Sequence, residues 1–454
     1  MASPQNSSLQ AWRDAAMVYF DRRVLVVLFL GFSSGLPLAL VGGTLSVWLR
    51  EEGISRATIG ALTLVTMPYA LKFLWAPLVD RLTLPVLGPL LGRRRGWALL
   101  TQVLLAAALV GLGTSDPAAD VWRTAWLAVV VAFCSASQDI VVDAYRVETL
   151  DERTQGAGAA IYVLGYRFGL MASGAGALFV AAAAGWEAAY LAMAALVGVG
   201  MITVLLAPEP KVAASAESRA REAHVAAWLA ARPHLRGWRA DTLAWLYAAV
   251  VAPFAQFMTR RAWALALGFI AVYKLGDVLA GNMAGPFYVD IGFSKEEIAS
   301  VTKLFGLWAA IAGGLLGGLL VGRVGTVRAL MIGGVLQMLS NLGFALLAAK
   351  GADVGLLALV VGIENLTGGV ATAAFVAYLS GLCDVAYTAT QYALLSSFFK
   401  LGGDLLGANA GWLAEKLEWF NFFLFSTAGA LPGLLLLTLL LRVERERGLA
   451  PAPG

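Results

Sequence analysis

Twelve stretches of this chain are apolar over lengths that cross a bilayer, at roughly residues 24–49, 57–79, 97–114, 121–146, 157–182, 187–207, 262–289, 296–321, 326–349, 354–381, 386–411 and 419–441. A helical crossing needs about 20 mostly apolar residues, so each segment is long enough on its own. Hydrophobic residues make up 59% of the 454 residues and mean hydropathy is +0.76. No soluble domain of that size could cover so much apolar surface. The segments are continuous apolar runs, not ten-residue alternations, which excludes a transmembrane barrel. The expected fold class is an all-α polytopic membrane protein with twelve transmembrane helices.

Away from the segment ends, ten ionisable side chains lie deep inside these segments: Lys72, Asp139, Asp143, Arg167, Lys274, Asp277, Lys303, Glu364, Lys400 and Asp404. A charge at mid-bilayer costs ~2.5–3.5 kcal/mol on insertion scales, so ten facing lipid would cost roughly 25–35 kcal/mol. They are therefore expected to face one another or water. None of these ten falls on the third, sixth, ninth or twelfth segment, where Glu187 and Arg328 stand only at the ends. That spacing predicts a polar pathway through a bundle built in three-helix units, with every third helix free to face lipid.

The basic residues set the orientation. With both termini cytoplasmic, only Arg50, Arg56, Arg123, Lys295, Lys350 and Lys416 of the 33 Lys and Arg fall outside. The net charge of +4 thus reflects topology and gives no case for nucleic acid. The first segment is too long for a cleavable signal and follows Arg22 and Arg23, so it reads as a signal anchor. Cys134 lies in the fourth segment and Cys383 just past the end of the tenth, and His224 and His234 lie in the central linker. No metal, disulfide or cofactor motif results.

The organisation repeats. Six segments precede and six follow a polar stretch, Pro208 to Arg261, which opens with Pro208-Glu209-Pro210. The expected layout is a six-helix bundle over 1–207, a linker over 208–261, a second bundle over 262–441 and a polar tail over 442–454. Thr242 to Arg261 mixes Trp245, Leu246, Tyr247, Phe254 and Phe257 with arginines. It reads either as an amphipathic interfacial segment or as a polar linker with a few anchors. Two equal halves around a long loop are typical of transporters made of internal repeats. Asp80-Arg81 followed by Gly92-Arg93-Arg94-Arg95-Gly96, and Gly318-x-x-x-Gly322-Arg323-x-Gly325-x-x-Arg328, both resemble the loop signature of the major facilitator superfamily. The second copy has Gly322 where the acid would sit.

Asp139 and Asp143 are four apart and share a helix face. Their depth is expected to match that of Arg167, which makes this group either a proton or substrate site or a buried salt-bridge lock. Lys274 and Asp277 are three apart and can pair on their own helix, while Gly276, Asn282 and Gly285-Pro286 suggest that this helix is interrupted near its outer end. Glu364, beside Asn365, has no base within helical reach; it is either a proton carrier or paired across the cavity with Lys274 or Lys303. Lys400 and Asp404 are spaced to neutralise each other. Lys72 and Lys303 occupy corresponding positions in the two halves and suit an anionic substrate or gate pairs. Trp48, Tyr69, Trp75, Tyr166 and Trp308 could stack on sugars, although tryptophan also gathers at membrane interfaces.

Beyond these positions the chain resembles the AmpG-type muropeptide permeases of the major facilitator superfamily. The resemblance is carried by GFSSGLPLAL (31–40), KFLWAPLVDR (72–81), GRRRGW (92–97), AFCSASQDIVVDAY (132–145), GAGAAIYVLGYRFG (156–169), LLAPEP (205–210), YKLGD (273–277), IENLTGGVATAAFVA (363–377) and ATQYALLSS (389–397). It implies proton-driven import of N-acetylglucosaminyl-1,6-anhydro-N-acetylmuramyl peptides across the bacterial inner membrane. It also implies a role in cell-wall recycling and, where the circuit exists, in β-lactamase induction. The working set implied by the resemblance is Gln138, Asp139, Asp143, Tyr166, Arg167, Lys274, Asp277, Glu364, Asn365 and Gln391. The chain is expected to act as a monomer. Two other readings stand beside this one. The first is a transporter of the same fold for an acetyl-CoA-like solute or a siderophore. The second is a membrane-embedded enzyme or assembly factor, against which the absence of intramembrane histidine and of any nucleophile–base set counts.

Overall fold

The computed structural model describes residues 17–55, 58–59, 62–210, 247, 251–260, 262–384, 387–407 and 409–448, and they are helical almost throughout. Among them nine helices are long and apolar enough to cross a membrane. One of these, Arg153–Leu206, is 54 residues long, about 80 Å at 1.5 Å per residue and far more than one crossing needs. It is broken at Gly185 (φ 88°, ψ 168°) and so forms spans five and six. Ala410–Val443 is broken at Glu418 (φ 57°, ψ 162°); its first part continues Thr388–Gly407 as span eleven and the rest is span twelve.

The second span, residues 62–81, consists of short helical pieces, so it does not count as one long helix. Pro68 and Pro77 begin two of those pieces, because a residue without an N–H is tolerated in a first helical turn and disrupts a helix interior. With these readings twelve spans result. The first is Arg22–Glu51, interrupted at Gly42; the third is Arg93–Gly113 and the fourth Val121–Thr149. Spans seven to ten are Trp263–Asp290, Ser300–Val324, Thr326–Lys350 and Val354–Gly381. Of the linker, residues 211–246 lie outside the described residues; Ala252–Met258 is a short helix.

Small residues bring the inner helices together. A Cβ added at Gly35 would lie 2.0 Å from the Tyr166 carbonyl oxygen, and one at Gly165 2.0 Å from that of Leu28, so spans one and five meet backbone to backbone. Spans eight and ten meet the same way: a Cβ at Gly313 would lie 1.9 Å from the Leu366 oxygen, and one at Gly369 2.4 Å from that of Ala310. Between the halves, Gly156 of span five approaches Gly318 and Val321 of span eight. These seams hold the charged helices near the middle of the bundle.

Candidate functional site

In the first half, spans two, four and five converge on a buried ionic group. Lys72 Nζ lies 3.5 Å from Asp143 Oδ2, and Arg146 Nη2 lies 3.6 Å from Asp143 Oδ1. Arg146 has no solvent exposure. Its Nη1 donates to Ser380 Oγ of span ten at 2.7 Å, and its guanidinium sits over the rings of Tyr162 (5.2 Å) and Tyr392 (5.1 Å). Asp143 is thus clamped between two cations. Asp139, one turn further from the loop, faces Lys72, Ser34, Tyr69 and Tyr166, yet its Oδ1 accepts no hydrogen bond.

The expected pairing of Arg167 with Asp139 is not what the structure brings together. Span five begins at Glu152, five residues before the expected 157, which places Arg167 about 22 Å from that end. Asp139 is only about 15 Å from the corresponding end of span four at Thr149. Glu364 on span ten lies about 25 Å from Gly381, at the level of Arg167, and the two interact across the halves.

In the second half Lys274 Nζ lies 3.6 Å from Asp277 Oδ2 and donates to Thr372 Oγ1 at 2.8 Å. Asp277 faces Gln337 and Asn341 of span nine, a polar patch on a helix without internal charges. Glu364 accepts from Asn365 Nδ2 at 2.9 Å and lies within electrostatic reach of Lys274 and Asp277. Span seven is interrupted at Tyr273 and Lys274, between the helix that ends at Val272 and the one that begins at Leu275; the interruption expected at Gly285-Pro286 does not occur, since Leu275–Asp290 runs through Pro286.

Two predicted binding residues are engaged in packing instead. Gln138 is fully buried, with its amide donating to the Ser33 carbonyl at 2.9 Å and accepting from the Ser33 hydroxyl at 3.2 Å. Gln391, 1% exposed, donates to Pro253 O and Gln256 Oε1 and accepts from the backbone N–H of Asp384. It sits at the loop end of span eleven and joins that span to the short linker helix. The side chains of Lys303 and Asp404 lie outside the described set.

At the face carrying the loop arginines the first copy of the repeated motif is a buried charge cluster. Arg94 donates to both oxygens of Glu148 and, at 2.8 Å, to Asp80 Oδ1. Arg93 donates to the Asp80 carbonyl and lies 3.9 Å from Glu148. Glu209, from Pro208-Glu209-Pro210, accepts from the backbone N–H groups of Arg94 (2.8 Å) and Arg95 (3.0 Å). It therefore caps span three at its positive end. Arg95 in turn donates to the carbonyls of Val204 and Leu205 at the end of span six.

Asp80, beside Arg81, crosses to the other half, where it accepts from the N–H of Ala389 (3.2 Å) and from both the N–H and hydroxyl of Thr390 (2.7 Å each). The second motif copy has no such cluster: Gly322 and Arg323 are exposed. With Gly322 in the acidic position there is nothing to draw the arginine inward. Glu148, Glu209 and Arg146 were not among the expected site residues, because each stands at a segment end where it reads as a loop charge.

Asp80–Thr390 and Arg146–Ser380 close the arginine face between the halves. Outside them lies a vestibule of about 1000 Å³, lined in part by Asp151, Arg153, Gly322, Thr326, Ser380 and Cys383. Lys274 and Asp277 side chains keep 17% exposure, and Arg167 and Glu364 are half-buried.

Two six-span halves, a charged mid-membrane group contributed by both, and a gate at one face define a membrane transporter of the alternating-access type. The chain belongs to the Major Facilitator Superfamily, whose family model matches residues 27–289. It is 43% identical over 426 residues to the anhydromuropeptide permease of Escherichia coli (strain K12), covering 92% of this chain and 80% of that one. It is 36% identical over 439 residues to an uncharacterized protein of Haemophilus influenzae (strain ATCC 51907 / DSM 11121 / KW20 / Rd), covering 94% and 96%. Among solved structures, the proton:xylose symporter XylE bound to 6-bromo-6-deoxy-D-glucose superposes with a TM-score of 0.63 at 14% identity, covering 92% and 94%. At that identity it bears on the fold alone.

Proposed function

We propose that this protein imports anhydromuropeptides from periplasm to cytoplasm, coupled to protons, by rocking of its two six-helix halves. The observation that carries the substrate is the 43% identity to the anhydromuropeptide permease of Escherichia coli over 92% of this chain. The site chemistry supports it. Lys72, Lys274 and Arg167 offer cations to an anionic peptide stem. Asn365 and Thr372 offer amide and hydroxyl partners to acetamido and sugar groups, and Tyr166 offers a ring face.

In this reading the arginine face is cytoplasmic, both termini are cytoplasmic, and the membrane is the bacterial inner membrane. The structure then corresponds to the state open to the periplasm. Asp139 is the leading proton carrier: Oδ1 of each aspartate lacks a hydrogen-bond donor, but Asp143 is ion-paired with Lys72 and Arg146, whereas Asp139 lies within 4 Å of no cation among the described residues. A bound proton removes a charge that low-dielectric surroundings disfavour. Glu364, at the level of Arg167, is placed to exchange that partner for a substrate group as the halves move. The protein acts as a monomeric carrier without a cofactor, and its role is transport instead of catalysis.

Direct binding tests the substrate. Purified protein is titrated calorimetrically with N-acetylglucosaminyl-anhydro-N-acetylmuramyl tripeptide, acetyl-CoA and a ferric siderophore. Heat with the anhydro-disaccharide peptide alone supports the proposal. Binding only to the nucleotide or the chelate transfers the same fold to another solute.

A further inference from the structure

One arrangement of residues occurs twice, once in each half, on the face opposite the arginine loops. At the end of span one, Trp48 and Glu51 are three apart; at the end of span seven, Phe287 and Asp290 are three apart. Each pair meets a tryptophan that directly follows a positive-φ turn, Trp186 after Gly185 and Trp419 after Glu418. The Trp186 indole N–H donates to Glu51 Oε2 at 2.8 Å, and the Trp419 indole N–H donates to Asp290 Oδ2 at 3.1 Å. The rings pack on the same partners, Trp186 on Trp48 at 5.8 Å and Trp419 on Phe287 at 5.3 Å. Four residues after each tryptophan a further aromatic completes the stack, Tyr190 at 5.2 Å from Trp48 and Phe423 at 4.7 Å from Phe287.

The first turn uses glycine where φ is 88°. The second holds a glutamate at φ 57°, a conformation that L side chains rarely adopt. The second half thus keeps the turn geometry, and with it the tryptophan's position, without the residue that makes the geometry easy.

Exposed hydrogen bonds of this kind add little to stability. Both occur at the tips of spans one and seven, which hold equivalent places in the two halves. Span one is jointed at Gly42, which separates its last segment, Gly43–Glu51, from the rest. Span seven has Gly285-Pro286 just before Phe287 and Asp290. Each tip is tied by its latch to a span without internal charges, six or twelve, away from the pathway. We propose that Trp186–Glu51 and Trp419–Asp290 are paired outer latches, positioning residues that hold the tips of spans one and seven retracted and so set the population of the outward-open state. This rests on the transport reading but not on the identity of the solute.

The test is a distance measurement that needs no substrate. Spin labels are placed on Val47→Cys and Val289→Cys, both exposed beside the latches, in full-length protein with Cys134→Ala and Cys383→Ala in lipid nanodiscs. Trp186→Phe and Trp419→Phe keep the stacking and remove only the indole N–H. The expected result is a shift of the inter-tip distribution toward short distances, about threefold in the open-to-closed ratio for one latch and roughly tenfold for both. Glu51→Ala with Asp290→Ala should do the same, whereas Glu51→Gln with Asp290→Asn keeps a carbonyl acceptor and should retain the original distribution. In transport, the two phenylalanine substitutions should raise the apparent KM about threefold or more without lowering Vmax. Unchanged distances in both the phenylalanine and alanine variants would overturn the proposal. A failure of anhydromuropeptide transport alone would leave the distances, and hence the latches, standing.

Discussion

Asp80 on span two receives two hydrogen bonds of 2.7 Å from Thr390 on span eleven, one from its N–H and one from its hydroxyl, while Arg94 donates to Asp80 from the opposite side at 2.8 Å. One carboxylate therefore joins the arginine cluster of the first half to the first turn of a helix in the second. An anion there is favoured by the free N–H groups of that turn.

Breaking that contact should widen the vestibule that lies outside it. Cys383, which lines the vestibule, is a native reporter. In a Cys134→Ala background, Asp80→Asn or Thr390→Val should raise the rate of Cys383 alkylation by a maleimide about fivefold, a shift of roughly 1 kcal/mol in the gate equilibrium. An unchanged rate would show that other contacts hold the face shut.

Asp139 and Asp143 should behave differently although they are one turn apart. Asp139→Asn removes a carboxylate whose Oδ1 has no donor, so folding should survive and gradient-driven accumulation should be lost, with counterflow retained. Asp143→Asn strips Lys72 and Arg146 of their shared counter-ion, which costs about 3–5 kcal/mol for a buried pair. Thermal melts in detergent and uptake assays distinguish these outcomes. A folded, fully accumulating Asp139→Asn variant would remove Asp139 from the coupling step.

Glu418 should be improved by simplification. Its φ of 57° with ψ of 162° suits glycine, and relieving such strain is worth of order 1–3 kcal/mol. Glu418→Gly should raise the melting temperature by a few degrees, read by differential scanning fluorimetry. A lower melting temperature would mean that the glutamate side chain contributes more than its backbone costs.

Gly92 should tolerate no side chain. It sits at φ 92°, and an added Cβ would lie 2.4 Å from the side chain of Glu209, which caps span three. Gly92→Ala should therefore dislodge the cap and loosen the arginine cluster together, lowering thermal stability by about 2 kcal/mol or more. Retained stability would indicate that Glu209 can swing clear.

The helices were legible because bilayer thickness imposes their length, and the i, i+3 pairing of Lys274 with Asp277 follows from helix geometry alone. What misled was depth. Placing the start of span five five residues late aligned Arg167 with Asp139, when its true level is that of Glu364. Arg146 and Glu148 stood at a segment end, and sequence offers no sign that such charges turn inward to Ser380 or Arg94. Gln138 and Gln391 belong to recognisable motifs, yet packing consumes both amides. A motif marks a residue as constrained without telling whether a substrate or a neighbouring helix constrains it. The twofold tryptophan latch was open to reading in WLRE and FYVD against GWEAAY and EWFNFF, but only if the turns before the tryptophans were known to correspond.

Uptake into proteoliposomes tests the central claim most directly. Radiolabelled N-acetylglucosaminyl-anhydro-N-acetylmuramyl tripeptide is supplied outside, with or without an inward proton gradient. Accumulation above the external concentration only with the gradient, abolished by a protonophore and by Asp139→Asn, is the predicted result. Uptake that merely equilibrates regardless of the gradient would contradict proton coupling, and no uptake by folded, correctly oriented protein would contradict the substrate.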